Sequence, residues 1–157
     1  MNERQHPQAV STTAELAVHR TITLKAGLRV AEAATEHANA IAVPACIAVS
    51  DRAGHLVTFC RMDGAPLMSM RIAQDKAYSV IAFKGMPTHE WWALLENEPT
   101  LLHGIVKTDR LMIFGGGLPI RVDDELVGAV GVSGGSSAQD TEIAEAGVRA
   151  LSDEGSD

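Results

Sequence analysis

The run Leu126-Val-Gly-Ala-Val-Gly-Val-Ser133 opens directly onto Gly134-Gly-Ser-Ser137 and then onto a stretch in which Ile143, Ala144, Gly147, Val148 and Leu151 recur at helical spacing. This pattern constrains the chain more than any other. A strand feeds a helix through a turn that carries almost no side chain, so the two elements pack closely. The helix is expected to start near Ser136 or Ser137. Asp140 stands three residues after Ser137 in a capping-box arrangement, and Glu142 adds negative charge to the first turn.

Upstream, the same reasoning reads helices and strands in alternation. Leu24, Leu28, Ala31 and Ala38 give an apolar stripe for a helix that begins at Thr21 and is closed by Pro44. Residues 45–50 and 55–61 read as two strands around the turn residues Asp51-Arg-Ala-Gly54. A second helix is expected from about Leu67 to Phe83, stopped by Gly85 and Pro87. Residues 88–108 have no sustained period and read as an irregular covering segment with helical pieces. Arg110–Phe114, Leu118–Val122 and Leu126–Ser133 read as a three-stranded meander. The expected order is α-β-β-α-(irregular or short α)-β-β-β-α: an α/β protein with a five-stranded, mainly antiparallel sheet flanked by helices. Residues 1–20 and 152–157 read as tails around one domain spanning 21–151.

Several function classes are disfavoured early. A formal net charge of −7 argues against a nucleic-acid partner, because such binding rests on clustered Lys and Arg. No stretch approaches the roughly 20 apolar residues of a membrane span, and the first residues lack the apolar core of a secretion signal, so a cytoplasmic protein is expected. Cys46 and Cys60 lie in neighbouring strands, facing either opposite sides or the same side according to register, and are expected to be free thiols.

Gly115-Gly-Gly117 permits positive φ and a nest of N–H groups, although a ligand-free turn satisfies the same pattern. Ser133-Gly134-Gly135 precedes a helix N-terminus, a place that favours anions, yet it lacks the lysine of a phosphate-binding loop. Arg61 and Asp63 share a face of an extended strand end, and either pair with each other or serve a carboxylate ligand. Lys76 sits close to the apolar stripe of the second helix, positioned to snorkel or to enter a cleft. His19, His89 and His103 are the histidines placed to act as an axial haem ligand or a proton carrier, with no metal site assigned.

These pieces occur in a familiar order. V-S-D-R-A-G-H-L-V at 49–57, R-M-D-G-A at 61–65, I-A-Q-D-K-A at 72–77, G-G-G-L-P-I at 115–120 and V-G-A-V-G-V-S-G-G at 127–135, followed by Q-D at 139–140, resemble the GlcG/HbpS family over about residues 21 to 151. That family includes haem-binding HbpS-like proteins, GlcG, and the C-terminal part of PduO-type corrinoid proteins. The resemblance implies a profilin-like α/β/α fold and homo-oligomers: dimers, tetramers or octamers. Trp91-Trp92 is unusually aromatic for the covering segment, and Trp92 is a candidate to stack on a planar ligand.

The expected function is therefore binding of haem, or of a small carboxylate-bearing metabolite, in one pocket. Its lining would be Arg61, Lys76, Gly115, Gly116, Gly117, Ser133, Gly134, Gly135 and Trp92. The alternative is a small isomerase, hydrolase or lyase in which Lys76, Asp63, His89 or His103 moves protons. A third reading is an accessory scaffold whose oligomer surface is its function.

Overall fold

The computed structural model describes residues 16–152; the tails expected at 1–20 and 152–157 lie mostly outside them. Helix α1 (Leu24–Ala40) opens on Thr23, whose hydroxyl accepts the Ala26 N–H. Strands β1 (Cys46–Asp51) and β2 (Leu56–Arg61) form a hairpin, and α2 (Ser69–Ala82) follows. A short 3₁₀ turn at Thr88–Glu90 leads into α3 (Trp91–Leu95) and α4 (Pro99–Ile105). A second hairpin, β3 (Gly117–Val122) with β4 (Glu125–Ser133), precedes α5 (Ser137–Arg149).

The sheet has four strands in the order β2-β1-β4-β3, with every neighbouring pair antiparallel. Two hairpins thus lie side by side through the β1–β4 seam, which replaces the expected meander. The fifth expected strand, Arg110–Phe114, is absent from the sheet. Its backbone is engaged elsewhere: the buried Ser79 hydroxyl accepts the Met112 N–H at 2.8 Å and lies 2.9 Å from the Arg110 carbonyl, and Arg110 itself adopts a left-handed φ of 64°. Apolar alternation alone does not distinguish a segment clamped onto a helix from one paired in a sheet.

Alternation along the strands separates two packing layers. Ile47, Val49, Val130 and Val132 pack with Val30, Ala34, Ile143 and Ala144 of α1 and α5, forming the main core. On the opposite face Cys46, Ala48 and Ala129 meet Ala73, Ala77 and Val80 of α2. Gly131 makes that second contact possible, because a Cβ there would strike the Ala73 carbonyl. The register pairs Cys46 with Arg61 and Ile47 with Cys60, so the two cysteines face opposite layers and both are free thiols. Burial raises the Cys46 pKa, against the opposing pull of Arg61.

At the far end of the sheet a short N-terminal strap stands in for β1. The Ile22 N–H donates to the Val127 carbonyl, and Arg20 binds the Glu125 carboxylate through its backbone N–H and its side chain. No helix among the described residues is long and apolar enough to cross a membrane.

Candidate functional site

The glycine turns and Lys76 converge, and they converge on each other. Lys76 lies on the sheet-facing side of α2 and is fully buried. Its ammonium donates to the Val132 carbonyl at 2.8 Å and to Asp140 Oδ2 at 2.7 Å, and it lies 4.8 Å from the centre of the Phe114 ring. A lysine has three N–H donors, so two oxygens and an aromatic face use its capacity. Burial draws its pKa below the ordinary 10.5, while Asp140 pulls in the opposite direction through charge and hydrogen bond.

Asp140 stands in the first turn of α5, where the helix dipole favours an anion. Its second oxygen accepts the Gly135 N–H at 2.9 Å. The capping box at this terminus is formed by Ser136 and Gln139 rather than by Ser137 and Asp140. That arrangement frees the aspartate to hold the lysine. Gly116, with φ 114°, passes over the ammonium so closely that a Cβ would lie 2.8 Å from Nζ and 2.6 Å from the Val132 carbonyl. The Gly117 N–H donates to Thr88 Oγ1 at 2.9 Å, inside the protein. These glycines wrap a buried cation of the protein itself.

The remaining candidates lie apart. Arg61 pairs across the sheet with Cys46, and Cys46 with Ser133, so the three form one row on the α2 face. Beyond Ser133 the next strand leaves the Gly115–Gly117 turn, on the opposite sheet edge from Arg61. At roughly 4.8 Å per strand, Arg61 is about 14 Å from it. Arg61 donates to the Ala65 carbonyl at 3.3 Å rather than to the exposed Asp63. His19 is exposed beside Glu125, 3.9 Å from its carboxylate, at the other end of β4. His103 is exposed on α4. Trp92 is 57% exposed, whereas its neighbour Trp91 is buried and packs edge-on against Phe83.

One sequence candidate does meet the glycine turn at the surface. His89, on the 3₁₀ turn, lines an open cleft of about 380 Å³ together with Gly115 and with Ser137, Ala138, Thr141, Glu142 and Glu145 of α5. Gly115 is itself buried and packs against the start of α5 so closely that a Cβ would lie 2.6 Å from Thr141 Oγ1 and 2.7 Å from the Ser137 carbonyl. Glu142 is held by His37 at 2.8 Å. No Lys or Arg is among the cleft's lining residues. The cleft therefore offers an exposed imidazole and a carboxylate rim, and no cation among the described residues lines it.

Sequence reasoning missed Asp140, Thr88 and Phe114 as partners of this region. Asp140 was visible as an acid in the first turn of α5; only the fold shows that α2 delivers a lysine to it.

Residues 22–149 match the family described as "Haem degrading protein HbpS-like". A 15.0 kDa protein from the dhaT-dhaS intergenic region of Citrobacter freundii is 37% identical over 135 residues, covering 85% of this chain and 94% of that protein. The crystal structure of a double mutant of Streptomyces reticuli HbpS is similar with a TM-score of 0.83 at 29% identity, covering 94% of this chain and 99% of that one. The crystal structure of a PduOC:heme complex is similar with a TM-score of 0.74 at 29% identity, covering 83% and 94%.

Proposed function

From a chain that belongs to the HbpS-like family, as the match over residues 22–149 establishes, we propose a haem-binding protein whose site is the cleft between His89, Gly115 and α5. The observation that carries this reading is the exposed His89 imidazole on the wall of an open cleft. An imidazole is a common ligand of haem iron. Similarity to a solved haem complex supports the same ligand class.

The cleft would enclose such a group only in part. A cleft of about 380 Å³ lies at the low end of the roughly 300–1,000 Å³ typical of small-molecule sites, so it takes part of a porphyrin and leaves the rest outside. Glu142 and Glu145 would disfavour propionates within the cleft, since like charges repel. His89 would hold the iron, the exposed Ala138 would line the cleft beside it, and bound haem would supply redox chemistry. A carboxylate-bearing metabolite fits this cleft less well, because nothing cationic lines it. Lys76, sealed beneath the turn, is the positioning group: through Asp140 it holds the N-terminus of α5, the helix that lines the cleft.

Titration with haemin tests the proposal. A saturable Soret shift near one haem per protomer is expected. His89→Ala should abolish or greatly weaken it, and His103→Ala should leave it intact. A featureless, non-saturating rise, or equal titrations for all three proteins, would refute the assignment.

A further inference from the structure

A second cavity lies between the C-terminal half of α2 and the turn that follows α4. It measures about 110 Å³ and is lined by Tyr78, Ser79, Ala82 and Phe83 on one side and by Thr108–Leu111 on the other. The strained residue of this region belongs to it: Arg110, with φ 64°, a conformation that bulky residues rarely adopt and that persists only where the surroundings enforce it.

Those surroundings are visible. The Ser79 hydroxyl clamps the backbone on both sides of Leu111, by accepting from Met112 N–H and by lying 2.9 Å from the Arg110 carbonyl. Buried Asp75 accepts the Arg110 Nε–H at 2.8 Å, and the guanidinium lies 3.8 Å from the centre of the Tyr78 ring. Asp75 also accepts Arg71 Nε at 3.0 Å, and Arg71 Nη2 reaches exposed Asp109 at 3.1 Å. The two aspartates are thus matched by two arginines. Every fixed contact of the Arg110 side chain uses Nε or the guanidinium face, and its two Nη groups have no hydrogen-bond partner among the described residues.

We infer that this cavity is a binding site for a short-chain carboxylate, held by the Arg110 Nη groups with its alkyl part against Tyr78 and Phe83. An arginine orientated by a buried carboxylate and an aromatic face is the usual means of recognising a planar carboxylate through paired N–H donors. Size sets the chain length. A cavity of roughly 150 Å³ takes benzene, so 110 Å³ takes about four or five heavy atoms, which spans acetate to propionate. This site is separate from the His89 cleft, and neither assignment depends on the other.

The test is amide chemical-shift titration of the full chain with propionate, with propan-1-ol as a neutral ligand of similar size, and with benzoate as an oversized acid. Propionate should give saturable shifts centred on Ser79, Ala82 and Leu111, and the other two compounds should give none. Ala82→Leu fills the cavity from its solvent side and should abolish the propionate shifts while leaving the circular dichroism and the haemin titration unchanged. Arg110→Met should weaken propionate by about tenfold or more, the loss expected for a charge-assisted pair. Equal binding of propan-1-ol, shifts centred elsewhere, or propionate shifts that survive in Ala82→Leu would overturn the inference.

Discussion

Lys76 illustrates how a single side chain changes meaning once its partners are known. On the sequence it is a cation on a helix face, free to serve a ligand; in the fold it is a fully buried ammonium between Val132, Asp140 and Phe114. Removing one member of such a pair leaves the other charge buried and uncompensated, whereas replacing both with apolar groups removes the problem. Lys76→Met is therefore expected to destabilise by about 3–5 kcal/mol, and Asp140→Leu by a similar amount. The double variant should lose clearly less than the sum, as measured by urea denaturation. Additive losses would mean that the two groups do not act as a pair. Gly116 responds to the same cation: a methyl there would meet Nζ and strain a φ of 114° together.

Elements are tied together by side-chain hydrogen bonds at both ends of β4. At its start, Glu125 binds Arg20 and Arg52 and so holds the strap Arg20–Ile22 against the sheet. The hydrogen bonds from the Arg20 side chain and backbone hold the Glu125 pKa below its ordinary 4.5. A depressed folded-state pKa means that the unfolded chain binds more protons around pH 4.5. The stability Glu125 contributes is thus present above that pH and lost as the pH falls through the lower folded value. Glu125→Gln should flatten the acid limb of a stability-versus-pH profile and leave its neutral slope unchanged; an unaltered acid limb would dissociate the strap from this carboxylate. At the other end of β4, the Ser136–Gln139 box starts α5, and Ser136→Ala should cost about 1 kcal/mol in thermal unfolding. The helices α1, α2 and α5 and the strands of both hairpins were legible because their apolar periods were long and their stops were marked by Pro44, Gly85 and Pro87. Arg110–Phe114 misled because its alternation answers to Ser79 and α2, a tertiary clamp that no local pattern encodes.

For the molecule as a whole, the family and the α/β layering were readable from five motifs in order, while the cleft proposed as the site was readable only in part. The motifs mark residues that the fold needs, and much of that need is internal: Gly131 for the approach of α2, Gly116 for the buried ammonium, Asp140 for both Lys76 and Gly135. Arg61 shares the Ser133 end of the sheet yet stays on the far edge, because a row of strands separates residues that a linear reading brings together. His89 lies outside every quoted motif, and its value comes from the place where the 3₁₀ turn sets it against Gly115 and α5. The position of iron is the measurement that bears on this most directly. Crystals of the chain grown with haemin and measured at the iron absorption edge should show one anomalous peak per protomer within coordination distance of a His89 ring nitrogen. A peak at another residue, or none in crystals that retain the Soret band, would contradict the account.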